Sequence, residues 1–449
     1  MVFSSLVFLC IFLPLVLILH TVIPNRKLQN ALLLAASLLF YAYGEPIYVL
    51  LMVLSALFNY GVALVMGERR WVLALAVCVN IGLLGVFKYA GFFVTGLNGL
   101  LGAHIPVPQI ALPIGISFFT FQALSYVIDV YRQQVPVQRS YGKLLLYISL
   151  FPQLIAGPIV RYADVAEQID HRRVDGDQIA LGLRRFILGL GKKVLIANAM
   201  GAVADSVFAA AEPNALNAWI GAVAYLMQIY YDFSGYSDMA IGLGKMFGFS
   251  FKENFSYPYI SGSVQEFWRR WHISLSSWFR DYVYIPLGGN RKGRVRTVSN
   301  KLAVFLLTGL WHGANWTFVV WGLFHGSFLL LEEFVPRLKK LPKVLGQLYT
   351  LLVVTLGFVV FRADSLAAAW QYFGCMFGAG ARIPDVSQLT PYFMVMLAAA
   401  VLGACPLADR FKHKKRWEPI RFVLAFLLLV WCMIRLAGGS YNPFIYFRF

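Results

Sequence analysis

Apolar runs of about 20 residues, the length that crosses a hydrocarbon core of about 30 Å, recur along this chain with short basic clusters between them. Residues 3–22 form the first run, and Arg26 and Lys27 follow it. No positive side chain precedes that run, so the positive-inside rule puts the N-terminus outside and Arg26 in the cytoplasm. The run lacks a basic start and a small-residue cleavage site, and reads as a retained span, not a signal peptide. Residues 28–43 return outward, 47–66 come back to Glu68-Arg69-Arg70, and 71–87 go out again. Residues 88–111 read as an outer segment with a Gly-rich connection. Residues 112–132 cross inward, with Gln122, Ser125 and Asp129 on one helical face. That face points into protein or a watery cavity, or its groups bond between helices.

Residues 144–156 are too short to span, are broken by Pro152, Gly157 and Pro158, and have basic residues on both flanks, so they read as re-entrant. Residues 177–194, with Arg184, Arg185, Lys192 and Lys193, read as an amphipathic helix lying against anionic headgroups on the inner surface. Residues 195–211 go out and 216–247 come in. The latter run holds Asp232 and Asp238, with Gly235 as an expected local break. A carboxylate at that depth either serves function or is held in a structural salt bridge to a nearby arginine. From Phe267 to Tyr282, large apolar residues recur at helical spacing (Trp268, Trp271, Leu275, Trp278, Phe279), predicting one amphipathic helix. Residues 301–334 have basic flanks at both ends and should enter and return, with 309–315 deepest. About eleven helical residues before His312 rise about 16 Å, roughly halfway into a bilayer.

Residues 344–361 go out and 391–405 come in. Arg410, Lys412, Lys414, Lys415 and Arg416 make an inner basic loop, and 419–436 go out, leaving FIYFRF near the outer interface. The pattern predicts an all-α polytopic membrane protein with about ten to eleven transmembrane helices plus re-entrant and amphipathic helices. Insertion of 365–380 changes that count. The whole chain, 1–449, forms one membrane-embedded domain. It comprises N-terminal spans (1–132), middle spans (133–247), a chemistry-bearing region (248–334) and C-terminal spans (335–449).

Composition agrees: 59% of residues are hydrophobic and 13% charged, against about 25% charged in soluble domains. The net charge of +18 is explained by basic cytoplasmic loops, and nucleic acid is not an expected partner. The five cysteines are scattered without CxxC spacing and indicate neither a zinc site nor a disulfide framework. The stretch 265–326 gathers His272, His312 and His325 with Trp268, Trp271, Trp278, Trp311, Trp316 and Trp321. Such groups are costly in hydrocarbon and call for a reason.

Four motifs carry a resemblance: EFWRRWHISLSSWFRDYVYIPLGGN (266–290), GLWHGANWTFVVWGLFHG (309–326), YYDFSGYSDMAIG (230–242) and the terminal FIYFRF. With FPQLIAGPIVRY (151–162), they make the chain similar to the membrane-bound O-acyltransferases, and within them to the bacterial alginate O-acetylation subgroup. The resemblance implies a central funnel reached from the cytoplasm, with a thin floor facing outside, in the bacterial inner membrane. It implies that His312 is the catalytic histidine, that His272 is a second functionally important polar position, and that His325 matches a subgroup histidine of less defined role. It also implies a cytoplasmic acyl donor, with acetyl-CoA as a substrate and no bound cofactor or metal. Partner proteins follow too, such as a periplasmic O-acetyltransferase or other polysaccharide-modification protein, with membrane lipids around.

The residues support the same chemistry. Acyl transfer from a thioester to a hydroxyl needs a base, and neutral imidazole suits it near pH 7. No GxSxG elbow is present. His312 then takes the proton, with Asn315, an amide near Gly313, or His272 at the oxyanion. Against this, His272 could simply bond a carbonyl, and His325 could be a hydrogen-bonded core residue. Arg269, Arg270 and Arg280 either grip coenzyme A phosphates or mark topology. Trp311 and its neighbours line an acyl tunnel or pack. The acceptor is a polysaccharide such as alginate, with peptidoglycan or another wall polymer as the alternative. A transporter or flippase is a remote second class, disfavoured because the titratable groups concentrate in one stretch and no inverted halves are visible.

Overall fold

The computed structural model describes residues 1–449 except 382, 384, 386, 408–416, 440, 444 and 446–449. The basic loop with Arg410, Lys412, Lys414, Lys415 and Arg416, and most of FIYFRF, therefore lie outside the described residues. Every regular element among the described residues is a helix, and the chain divides into two compact units.

The first unit is Met1–Phe186 with Ser237–Lys252. A π turn leads into α1 (Leu13–Val22), and Asn25 caps α2 (Arg26–Ala42) by accepting from the amides of Lys27 and Leu28. Next come α3 (Tyr48–Val65), α4 (Arg70–Leu84) and α5 (Ala90–Leu101). Asn59 of α3 and Asn80 of α4 exchange buried hydrogen bonds of 3.2 and 2.8 Å, which closes two polar side chains against each other. A π turn joins α4 to α5, so Arg70–Leu101 is one apolar helical run. The expected Gly-rich connection in 88–111 is therefore helical as far as Leu101. Its glycines alternate with phenylalanine, valine and leucine that keep the run apolar, and the helix stops only at Gly102, in the left-handed region at φ 63°. In α6 (Ile116–Tyr131) the predicted polar face, Gln122, Ser125 and Asp129, is buried. The short segment 144–156 is indeed broken, into α7 (Tyr141–Ser149) and α8 (Phe151–Leu154). Pro152 lies in the first turn of α8, where a missing N–H costs little. The unit continues with α9 (Tyr162–His171) and the start of α10 (Gly176–Gly191).

The second unit is Ile187–Tyr236 with Glu253–Phe449. A π turn (Lys192–Ala197) joins α10 to α11 (Asn198–Ala209), making Gly176–Ala209 one apolar helical run instead of a surface helix followed by a span. The reason is electrostatic: Lys193 is paired with Asp232 and Arg185 with Asp238, so these cations need no headgroup contact to be neutralised. α12 (Ala215–Met246) is unbroken, which corrects the break expected at Gly235. A Cβ there would lie 2.8 Å from the Gly189 carbonyl oxygen and 3.1 Å from the Lys192 Cβ, so the glycine serves close helix approach. The remaining helices are α13 (Val264–Arg270), α14 (Ile273–Phe279), α15 (Gly293–His312), α16 (Trp316–Phe334), α17 (Lys343–Arg362), α18 (Leu366–Gly374), α19 (Pro391–Gly403) and α20 (Glu418–Ala437).

Among the described residues, five helical runs are long and apolar enough to cross a membrane: Tyr48–Val65, Arg70–Leu101, Gly176–Ala209, Lys343–Arg362 and Glu418–Ala437. Phe8–Val22, Ile116–Tyr131 and Pro391–Gly403 are shorter apolar helices. On α20, Ile420, Val423, Leu424 and Leu427 are exposed, as lipid-facing positions are.

Helices α15 and α16 form the hairpin read from residues 301–334. They approach so closely that a Cβ on Gly309 would collide with the Phe318 carbonyl oxygen, and one on Gly322 with that of Phe305. Gly309→Ala must therefore push the two backbones apart. The expected cost is about 1–3 kcal/mol, measured by thermal unfolding in detergent. An unchanged midpoint would show that the hairpin is looser than this.

Candidate active site

The hairpin turn sets the position of His312. α15 ends on this residue, Gly313 is extended, and Asn315 starts α16 as its N-cap. The Asn315 side chain accepts from the Thr317 amide at 3.2 Å and donates to the Asp364 carbonyl at 2.9 Å. Both of its functional atoms are thus engaged in shaping the loop. His312 is 5% exposed. Its ring stands edge-on to Trp311, Trp321 and Phe361, with centroids 5.0, 5.1 and 5.1 Å away. An imidazole at a helix end inside an aromatic cage is held in orientation and kept dry.

His272 lies where one helix was expected from Phe267 to Tyr282. The structure breaks that helix into α13 and α14. Trp271 is extended, and His272 takes the left-handed conformation at φ 44° and ψ 54°, which is uncommon for a residue with a Cβ. Asn254 holds the turn. Its Oδ1 is 3.3 Å from His272 Nδ1 and accepts from the Ser274 amide (3.1 Å) and hydroxyl (2.9 Å). Its carbonyl accepts from the Ile273 amide at 2.9 Å. The first amides of α14 need acceptors from outside the helix, and Asn254 supplies them. The apolar spacing was satisfied by either arrangement, so periodicity alone did not show the break.

The tertiary packing brings all three histidines into one aromatic cluster. Trp311 is 5.9 Å from His272 and 5.0 Å from His312; Trp321 is 5.1 Å from both His312 and His325. Trp268 closes the far end against His325 at 5.1 Å and Trp321 at 5.7 Å. His325 is 0% exposed, and neither ring nitrogen has a hydrogen-bond partner among the described residues. The reading of a hydrogen-bonded core histidine is therefore corrected. Its Nε2 faces Gly357 of α17, where a Cβ would be only 2.6 Å away.

The charged candidates have partners. Asp232 pairs with Lys193 at 2.9 Å, with the two side chains 1% and 3% exposed. It also accepts from the Ile445 amide at 3.0 Å, while Lys193 donates to the Pro443 carbonyl. Asp238 takes two bonds from Arg185, at 2.8 and 3.1 Å. Arg270 pairs with Glu266 at 2.9 Å and Arg280 with Asp281 at 2.7 Å, while Arg269 is exposed. These arginine pairs are partly solvated and weak, so a phosphate can compete with the carboxylates.

Three residues of this region were not singled out from the sequence. Asn254 sits in a polar loop and has no signal there. Phe361 looks like any span residue. Glu332 did carry a signal, as a carboxylate in an apolar run. It is fully buried and accepts from the Val264 and Gln265 amides at 2.6 and 3.0 Å, satisfying the start of α13. Asn254→Ala should release His272 from its turn. A displacement of about 1 Å at a reacting group costs on the order of 10²-fold, so turnover of the folded variant is expected to fall by about that much. Wild-type turnover in Asn254→Ala would remove this residue from the site.

Comparison with known proteins bears on the same stretch. Residues 130–366 match the MBOAT, membrane-bound O-acyltransferase, family. The chain is 41% identical to the "Probable alginate O-acetylase AlgI" of Azotobacter vinelandii over 100% of both chains. It is 47% identical to the protein of that name from Pseudomonas aeruginosa, over 85% of this chain and 75% of the relative. It is 34% identical to the "Peptidoglycan O-acetyltransferase" of Helicobacter pylori, over 100% of this chain and 98% of the relative. The matched residues contain the histidine-bearing hairpin and the broken helix before it. This chain is an acyltransferase and a multi-pass membrane protein, and it belongs to the membrane-bound O-acyltransferase family.

Proposed function

We propose that the protein takes an acetyl group from acetyl-CoA on the cytoplasmic face of the bacterial inner membrane. It passes the group outward for O-acetylation of an extracellular polysaccharide such as alginate, directly or through a periplasmic partner. The observation that carries this reading is His312, caged by Trp311, Trp321 and Phe361 at the tip of the α15–α16 hairpin. High identity to alginate O-acetylases supports the acceptor class. Peptidoglycan is the second reading, favoured by the relative that acts under that name and matches the whole chain. The N-terminus lies outside in this scheme.

In the reaction, His312 removes the proton of the acceptor hydroxyl, and the oxygen attacks the acetyl carbonyl carbon. The tetrahedral oxyanion collapses, the C–S bond breaks, and the coenzyme A thiolate takes the proton from the imidazolium. His272, which shares Trp311 with His312, is the donor to the oxyanion, because the Asn315 amide is engaged in the helix cap. The tryptophan rings exclude water that would hydrolyse the thioester. Arg269, Arg270 and Arg280 grip the phosphates of the donor as it arrives.

The test uses purified protein in liposomes, acetyl-labelled acetyl-CoA and two acceptors, alginate and peptidoglycan fragments, each with and without a periplasmic extract. Release of free coenzyme A with label on alginate supports the proposal. Label on peptidoglycan alone selects the second reading. No release from acetyl-CoA under any of these conditions rejects the donor.

A further inference from the structure

In the first unit, basic groups meet with no carboxylate paired to them among the described residues. Arg172, just after α9, is 3% exposed. Its Nη1 donates to Asn30 Oδ1 at 2.6 Å and to the Ile169 carbonyl at 3.1 Å, and its guanidinium lies over the Phe249 ring at 4.6 Å. Its Nε and Nη2 are buried and have no hydrogen-bond partner. Arg26, at the start of α2, donates to the Arg172 carbonyl and to Gln29 Oε1. His20 of α1 is fully buried, and both of its ring nitrogens lack a partner. Gln29 ties this corner together by donating to the carbonyls of His20 and Ile23 at 3.0 and 2.7 Å.

Neither arginine has a carboxylate partner among the described residues. The acid that acts on Arg172, Asp170, is paired with Lys143 at 2.7 Å. Burial first, and then Arg26, push Arg172 down to about 9 from its usual value. A buried guanidinium with open donors beside a second guanidinium is unfavourable unless something negative completes it.

We propose that this corner is a binding site for the phosphate of an anionic phospholipid headgroup, received between Arg26 and Arg172. Two features select a lipid. Ile11, Leu15, Ile18 and Val22, on α1 and the turn before it, form an exposed apolar stripe at helical spacing that ends where the chain turns toward Arg26. An acyl chain lies along such a stripe. Arg173 is exposed on the loop after α9 and adds positive charge around the entrance. The planar, forked guanidinium presents paired donors that match phosphate oxygens.

The experiment is native mass spectrometry of the full chain released from bilayers containing phosphatidylglycerol and phosphatidylcholine. Wild type is expected to retain phosphatidylglycerol in preference to phosphatidylcholine. Arg26→Gln removes one charge from a half-buried position and should lower that retention about fivefold. Lys27→Gln removes the same charge from an exposed neighbour and should change retention little. Arg172→Gln loses stability on any reading, so stability is not the readout; retention by folded Arg26→Gln is. Equal retention by wild type and Arg26→Gln, or an equal loss in Lys27→Gln, overturns the site. Inorganic phosphate that displaces phosphatidylglycerol and stabilises delipidated protein as well as the lipid does overturns the lipid assignment.

Discussion

Replacing His312 by alanine should reduce acyl transfer by about 100- to 10,000-fold, the range expected when a general base is removed. The ring is enclosed by Trp311, Trp321 and Phe361, so alanine also leaves a gap in the cage. His312→Gln keeps most of the volume and isolates the chemical loss from the packing loss. Both variants are compared with wild type by release of coenzyme A and by label reaching the acceptor. If both fall together while thermal midpoints stay close to wild type, His312 is the base. If the glutamine variant retains turnover within about tenfold of wild type, the proton goes elsewhere and His272 becomes the first residue to test. His325→Phe then separates the roles in the cluster, since Trp321 touches both His325 and His312.

The second large effect concerns stability. Asp232→Asn should destabilise the protein by about 3–5 kcal/mol, because it leaves the buried Lys193 ammonium without its counter-charge. The same change weakens the contact to the Ile445 amide, so Ile445 loses part of its anchor. Replacing both partners by apolar residues, Lys193→Met with Asp232→Leu, is expected to restore most of the stability, since no lone charge is left behind. Thermal unfolding of the single and double variants measures this. A cost below about 1 kcal/mol for Asp232→Asn would mean that water reaches the pair. The double variant also decides whether the acid has a second role. Recovered stability with recovered transfer makes Asp232 structural, and recovered stability without transfer returns it to the site.

Much of the candidate site was legible because polar residues in apolar runs are conspicuous. His312, His272 and His325 stood out in that way, and so did the hairpin of 301–334, whose flanking charges require entry and return. What remained hidden depended on partners distant in sequence. Asp232 carries no mark of Lys193 along the chain, and the ion pair between them, at 2.9 Å, exists only in the folded protein. His272 and Trp271 fitted the apolar spacing of one helix, and a break there is supported by the distant Asn254 acceptor. Gly235 looked like a helix breaker, because a glycine that permits close packing and one that ends a helix are identical along the chain.

The sequence by itself determined the solvent of this protein and the type of its elements. Hydrophobic run length and charge spacing act locally, and a bilayer admits few answers other than helices. It also determined which residue types were available for acyl chemistry. The tertiary structure alone decided which charges neutralise each other, where α13 gives way to α14, and that Trp311 and Trp321 join three separated histidines into one cluster. Those outcomes are sums of long-range contacts, each comparable in energy to the local preference it overrides, and so no window of sequence contains them.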